Sequence, residues 1–339
     1  MHCAGHGTRG AAGRPDRAWF LREAPEHALR SVPYPGFTST FLPGIPVNRL
    51  SLFFILISLL AGCGPRALEP DAPYVCERCD EWNEPHIPFR IHGNTWYVGT
   101  DGLSSILIET DAGLILLDGG LPQSAALIDA NIRALGFDPL DIEAILVSHA
   151  HFDHAGGVAA LQRLARANVY FSEAGQAALA TGRLDEDDPQ YVADSDEGRF
   201  PAIDNVTAVG DGEFVSVGSV NVQAQYTPGH TTGSVSWTWE SCALNTCLDV
   251  VYADSLTAVS AEGFSFAASG AATRMVESAG KIADLPCDIL LSPHPFFFGM
   301  YDKLERRDAG NPFVNSLACT FYAESALDWL ERRLEAERM

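Results

Sequence analysis

Lysine is almost absent from this sequence: Lys281 and Lys303 are the only two among 339 residues. Arginine lifts the basic total to 22 against 44 Asp and Glu, a formal charge of −22. Nucleic-acid binding relies on Lys and Arg to neutralise phosphates, so this balance argues against a nucleic-acid partner. No G-x-x-x-x-G-K-[ST] loop is present to cradle a nucleotide phosphate. The apolar run Leu50–Gly62 is uncharged and too short to span a bilayer as a helix. No fixed-period repeat or low-complexity tract occurs. With 47% hydrophobic and 19% charged residues the chain is of globular type, long enough for one large domain or two small ones.

The run Leu50–Gly62 has the length of the apolar region of a secretory signal. It ends in Leu60-Ala61-Gly62-Cys63, which resembles the lipobox of bacterial lipoproteins and implies lipidation of Cys63. Residues 1–46 are too long and too Pro-rich for the start of such a signal, so the translation start is expected near Val47, with Arg49 as its charge. Three segments follow: an extension and cleaved signal over 1–62, a tether over 63–80, and one domain over 81–339. The exported chain is placed in the periplasm, anchored to a bacterial membrane by lipid only. Its charge is −25, because the segment removed holds six Arg and three acids. Beyond Cys63 six cysteines remain, and export reads them as three disulfides. Spacing favours Cys76–Cys79, Cys242–Cys247 and Cys287–Cys319 among the 15 possible connectivities.

Patterning gives strand-rich stretches followed by strand–helix–strand–helix, twice over. Strands are expected near Phe89–Ile91, Thr95–Val98, Ser105–Ile108, Leu114–Leu117, Ala144–Val147 and Val169–Phe171. In the second half they fall near Glu213–Val217, Val220–Tyr226, Ser234–Trp239, Val250–Ala253 and Ile289–Leu291. Helices are expected over Gln123–Leu135, Val158–Ala167, Ala271–Leu285 and within Phe313–Arg338. This order suits two packed sheets with helices outside. The stretch Asp185–Glu197 is dense in acids, seven in all, and reads as a solvated loop.

The strand before Val147 runs into Ser148-His149-Ala150-His151-Phe152-Asp153-His154. Alternation in an extended chain puts His149 and His151 on one face. Thr227-Pro228-Gly229-His230 and Ser292-Pro293-His294-Pro295 likewise follow strands. Imidazoles and a carboxylate gathered at strand ends suit Zn²⁺, with iron as the runner-up.

H-x-H-x-D-H followed by T-P-G-H resembles the metallo-β-lactamase superfamily. Tyr252–Thr257, Leu285–Pro295, Trp96–Gly99 and Gly102–Ile108 are most similar to its subclass B3. The resemblance implies an αββα sandwich, two mixed β-sheets flanked by helices, with a binuclear zinc site between the sheets. It implies His149, His151 and His230 on one zinc and Asp153, His154 and His294 on the other. Asp153 would also orient a metal-bound hydroxide that opens the β-lactam ring of penicillins, cephalosporins or carbapenems. Ser255 and Thr257 match substrate-contacting positions, and Asp254 is expected as a structural group beside the site. A monomer acting on a small molecule is expected. The alternatives are a lactonase or thioesterase of the same fold, in which Asp254 would bridge the metals, and a non-enzymatic zinc-binding lipoprotein.

Overall fold

The computed structural model describes residues 66–307 and 310–339. The lipobox, Cys63 and the upstream extension lie outside them. Seven strands form the first sheet in spatial order β1 to β7: Phe89–His92, Thr95–Tyr97, Ile106–Thr110, Gly113–Leu117, Ile142–Leu146, Asn168–Phe171 and Val206–Ala208. Strands β1 to β4 pair antiparallel, and β4 to β7 pair parallel. The second sheet has five strands: β8 Phe214–Val217, β9 Val220–Tyr226, β10 Val235–Ala243, β11 Thr246–Tyr252 and β12 Ile289–Leu291. It is antiparallel except for the parallel pair β11–β12. Two mixed sheets flanked by helices make the expected αββα sandwich.

Eight α-helices complete the described chain: α1 Cys79–Trp82, α2 Ser124–Ala134, α3 Val158–Ala165, α4 Gln176–Thr181, α5 Phe266–Ser269, α6 Ala271–Asp284, α7 Met300–Glu305 and α8 Ala318–Glu337. Among the described residues no helix is long and apolar enough to cross a membrane. Strands β4 and β5 are buried along nearly their whole length, as parallel strands covered on both faces must be. Trp237 on β10 is fully buried and donates its indole N–H to the carbonyl of Val147 at 3.0 Å. That bond ties the second sheet to the first just before the histidine-rich turn.

Strand direction gathers the loops that carry function. Strands β4 and β5 run parallel, so Asp118 and the stretch Ser148–His154 leave the first sheet at one end. Strands β9, β11 and β12 also share a direction, because β10 is antiparallel to both β9 and β11. His230, Asp254–Thr257 and His294 therefore emerge from one end of the second sheet. Close approach of the two turns on the first sheet requires glycine: a Cβ on Gly157 would lie 2.2 Å from the carbonyl oxygen of Gly119.

The three disulfides are Cys76–Cys79, Cys242–Cys247 and Cys287–Cys319. The second closes the β10–β11 hairpin, and the third fastens α8 to the loop before β12. Residues 66–80 are docked on the domain and do not hang as a free tether. Arg66 donates to the carbonyl of Leu164 at 2.7 Å, Asp71 pairs with Arg163 at 2.9 Å, and the Tyr74 ring stacks on Phe152 at 4.2 Å.

Candidate metal centre

His149, His151, Asp153, His154, His230 and His294 converge where the two sheets open. Nitrogens of His149, His151 and His230 lie within 4.8 Å of one another. Ligand atoms of His149, Asp153 and His154 meet the same limit. Asp153 Oδ2 is 3.3 Å from His154 Nε2 and 3.6 Å from His294 Nε2. Apart from His294, whose side chain is 12% exposed, the other five are buried.

Hydrogen bonds from behind decide which ring nitrogen faces the cluster. His230 Nδ1 lies 3.0 Å from the carbonyl oxygen of Thr257. A carbonyl only accepts, so Nδ1 carries the proton and Nε2 keeps its lone pair. The same reasoning applies to His294, whose Nδ1 meets the carbonyl of Gly102 at 3.2 Å. His149 Nδ1 donates to Asp254 Oδ1 at 2.7 Å. His151 is reversed: its Nε2 faces Asp188 Oδ2 at 3.1 Å, which leaves Nδ1 inward. Four rings thus each present one unprotonated nitrogen, the form in which imidazole binds a metal. His149 therefore offers the cluster a single free nitrogen, while Asp153 Oδ2 is approached by His294 as well as by His154.

Electrostatics agrees with this donor set. Burial, reinforced by neighbouring imidazoles, pushes His149 well below the usual imidazole range. Burial and His151 take His230 down to about 3. Burial and His154 take His294 down to about 4. Burial alone would raise Asp153, but His154, His294 and His151 outweigh it and hold the carboxyl below its normal range. Burial also opposes a charge on His154, yet Asp153, Asp118 and Asp254 together raise it. Three imidazoles held in the neutral form beside an ionised carboxylate are a fitting cage for Zn²⁺.

Four supporting residues escaped the sequence reading. Asp188 belongs to the acidic run expected to be solvated. It is instead 7% exposed and bound to His151. Nothing in the spacing marks which of the seven acids turns inward. Asp118 follows β4 with φ 56°, a left-handed conformation that Asp tolerates better than most residues. Its carboxylate accepts from Ser148 N, Ser148 Oγ and Tyr252 Oη, each at 2.7 Å, and lies 3.9 Å from His154 Nδ1. Trp82 places its ring 5.4 Å from that of His294 and forms one wall. Gln190 reaches His151 Nδ1 at 3.4 Å and borders the opening.

Asp254 sits behind His149, fully buried. Ser255 Oγ is buried with no hydrogen-bond partner among the described residues. Thr257 Oγ1 lies 3.0 Å from His230 Nδ1. It accepts a share of that N–H and keeps its own proton to donate. One S-x-x-K spacing exists, Ser278–Lys281 on α6. The serine donates to the carbonyl of Pro228 at 2.7 Å and the lysine pairs with Asp211 at 2.6 Å, so it forms no nucleophile–base pair.

The family model described as the metallo-beta-lactamase superfamily matches residues 98–294. Among solved structures, the chain is similar to Rm3 metallo-beta-lactamase at 44% identity and TM-score 0.76, covering 78% of this chain and 100% of that one. It is similar to MEM-A1, a subclass B3 metallo-beta-lactamase from a soil metagenome library, at 42% identity and TM-score 0.73, covering 76% and 98%. Among curated proteins, an N-acyl homoserine lactonase of Bacillus cereus is 30% identical over 38% of this chain and 55% of its own length. The chain spans about half the length of that lactonase. The chain belongs to the metallo-β-lactamase superfamily, and its structural neighbours are subclass B3 enzymes.

Proposed function

We propose that this member of the metallo-β-lactamase superfamily is a zinc hydrolase that opens the β-lactam ring of penicillins, cephalosporins or carbapenems. The observation that carries the reading is the double cluster around His149, on a chain similar over nearly the full length of several subclass B3 enzymes. His149, His151 and His230 would hold one zinc, and Asp153, His154 and His294 the other. Bound zinc supplies Lewis acidity toward the lactam carbonyl and lowers the pKa of a water to about 7.

The protein's own groups do the rest. Asp153 is ionised and orients the attacking water through the carboxylate oxygen that His154 leaves free. Asp188, Asp254, Gly102 and Thr257 fix the rings so that this geometry does not reorganise during the reaction. Ser255 Oγ and the free O–H of Thr257 donate to the substrate carboxylate. Trp82 covers the His294 side and limits water.

A lactonase is the second reading, favoured by the curated lactonase relatives. Against it, Asp254 is engaged from behind by His149 Nδ1 at 2.7 Å, whereas that reading needs it to bridge the metals. The test is loss of carbapenem and cephalosporin absorbance by the zinc-loaded chain, with and without chelator. Chelator-sensitive turnover is expected. Absence of turnover with two zincs bound, together with lactone hydrolysis, would refute the β-lactamase reading.

We also place the protein in the periplasm as a monomer, lipid-anchored through Cys63, on the strength of the Leu50–Cys63 motif. The mass of the membrane-extracted protein tests this: it should begin at a lipid-modified Cys63, and an unmodified N-terminus would refute it.

A further inference from the structure

A second cavity, of about 390 Å³, lies between the turn Pro295–Phe298 and α8. Phe297, Phe321 and Trp329 line it. Phe321 and Trp329 are 52% and 45% exposed, and Phe296 at the rim is 51% exposed. Large aromatic side chains left open around one concavity mark a binding surface more often than scattered apolar exposure does. The cavity is distinct from the metal cluster but backs onto it. Its floor includes Thr257 and Tyr322. Tyr322 Oη donates to the carbonyl of Asp254 at 2.6 Å and accepts from Leu256 N at 3.1 Å.

The charge at this cavity is unusual for so acidic a chain. Lys303, one of only two lysines, lines it. Its ammonium stands 5.7 Å from the ring centroid of Phe298 and 5.5 Å from that of Phe313. Among the described residues no carboxylate lies within ion-pair distance of it. Lys281, by contrast, is paired with Asp211. Burial lowers Lys303 to about 8, a cost that a bound anion would offset.

We propose that this cavity binds a hydrophobic carboxylate, with its aromatic or aliphatic body among Phe297, Phe321 and Trp329 and its anionic head on Lys303. Aromatic walls hold the body, and a single ammonium backed by two π faces selects one negative charge. A small anion such as acetate gains nothing from the walls, and a neutral aromatic gains nothing from Lys303. The inference does not depend on the proposed reaction, because it concerns binding alone.

The test is calorimetric titration of the zinc-loaded protein with 2-naphthoate, with acetate and 2-naphthol as controls. One saturable naphthoate site is expected, with both controls weaker by at least about tenfold. Lys303→Met should weaken naphthoate at least about tenfold, and Lys303→Arg should restore it. Ser325→Trp, at an exposed lining position on α8, should block the mouth and give a similar loss. Naphthoate affinity unchanged in both Lys303→Met and Ser325→Trp would place the ligand at the metals and overturn the proposal. No saturable binding would overturn it as well. Sedimentation showing a dimer of the unliganded protein that Ser325→Trp dissociates would assign the groove to a second copy of the chain and equally overturn it.

Discussion

Replacing Asp188 by Asn tests whether the support of the cluster works as its geometry implies. The carboxylate takes two N–H donors on two oxygens: Gln190 N at 2.7 Å on Oδ1 and His151 Nε2 at 3.1 Å on Oδ2. His151 Nε2 also lies 3.3 Å from Oδ1; asparagine keeps one acceptor oxygen, and with that oxygen on Gln190 N the shorter His151 contact must face an NH₂. If His151 loses its acceptor, the ring turns, or the proton moves to Nδ1 and removes the inward lone pair. Outer partners of metal-binding histidines are worth about 10- to 100-fold in metal affinity. At about 1.4 kcal/mol per decade, this corresponds to about 1.4–2.8 kcal/mol. Asp188→Asn is therefore expected to weaken one zinc site by about 10- to 100-fold and to spare the site that lacks His151. Competition with a chromophoric chelator at neutral pH resolves the two affinities, and circular dichroism checks that the fold is kept. Both affinities within about twofold of the parent protein would refute the reasoning.

Other perturbations separate the parts of the molecule. His230→Ala should leave one zinc equivalent by elemental analysis and reduce hydrolysis to background; two retained equivalents would contradict the ligand assignment. Glu337 accepts from Phe266 N, Ser265 Oγ, Ala267 N and Arg333 Nε. Burial opposes its charge, but these donors outweigh it and hold Glu337 down to about 2, from an ordinary value of 4.5. Its stabilisation is thus fully present above pH 4.5 and is lost as pH falls through about 2. With allowance for solvent screening, Glu337→Gln should cost about 1 kcal/mol near neutrality, and urea titrations at descending pH should show that difference shrinking. Cys287 and Cys319 close a loop with a sequence separation of 32, against 5 for Cys242 and Cys247. Chain entropy then predicts a cost of about 4 kcal/mol for removing the first bridge and about 2 for the second. Equal costs in chemical denaturation would show that loop length does not set them.

Much of the fold could be read from local pattern because each layer has its own period. Strands β9 and β12 occupy the expected residues, and α6 ends one residue before the expected Leu285. The short elements α1, α4, α5, α7 and β7 were not legible. None of the four helices completes two turns and the strand is shorter still, and such lengths carry little periodic signal. The terminal helix, Ala318–Glu337, lies within the expected Phe313–Arg338 and leaves its first five residues outside. Asn315 donates its N–H to the carbonyl of Asp288 at 2.8 Å, a long-range bond that holds Phe313–Leu317 out of the helix. Strand β10 runs on to Ala243 through Glu240, although the apolar pattern stops at Trp239, because its pairing with β11 and the Cys242–Cys247 bridge continue it.

What the sequence determined by itself was the inventory of the candidate site: five histidines and Asp153, each in a turn that follows an apolar strand. Strand-end position is a local property, and the residues on either side are enough to encode it. Only the tertiary structure decided how those residues are held. The parallel directions of β4 and β5, and of β9, β11 and β12, bring turns as distant in sequence as those of His149 and His294 to one opening. Asp188 became a ring anchor, and not a solvated acid, because its loop folds over His151. The ring nitrogen that four of the five histidines turn inward was fixed by Thr257, Gly102, Asp254 and Asp188. Every one of those partners is far from its histidine along the chain, so no local pattern records them, and a hydrogen bond exists only once both of its ends have been brought together.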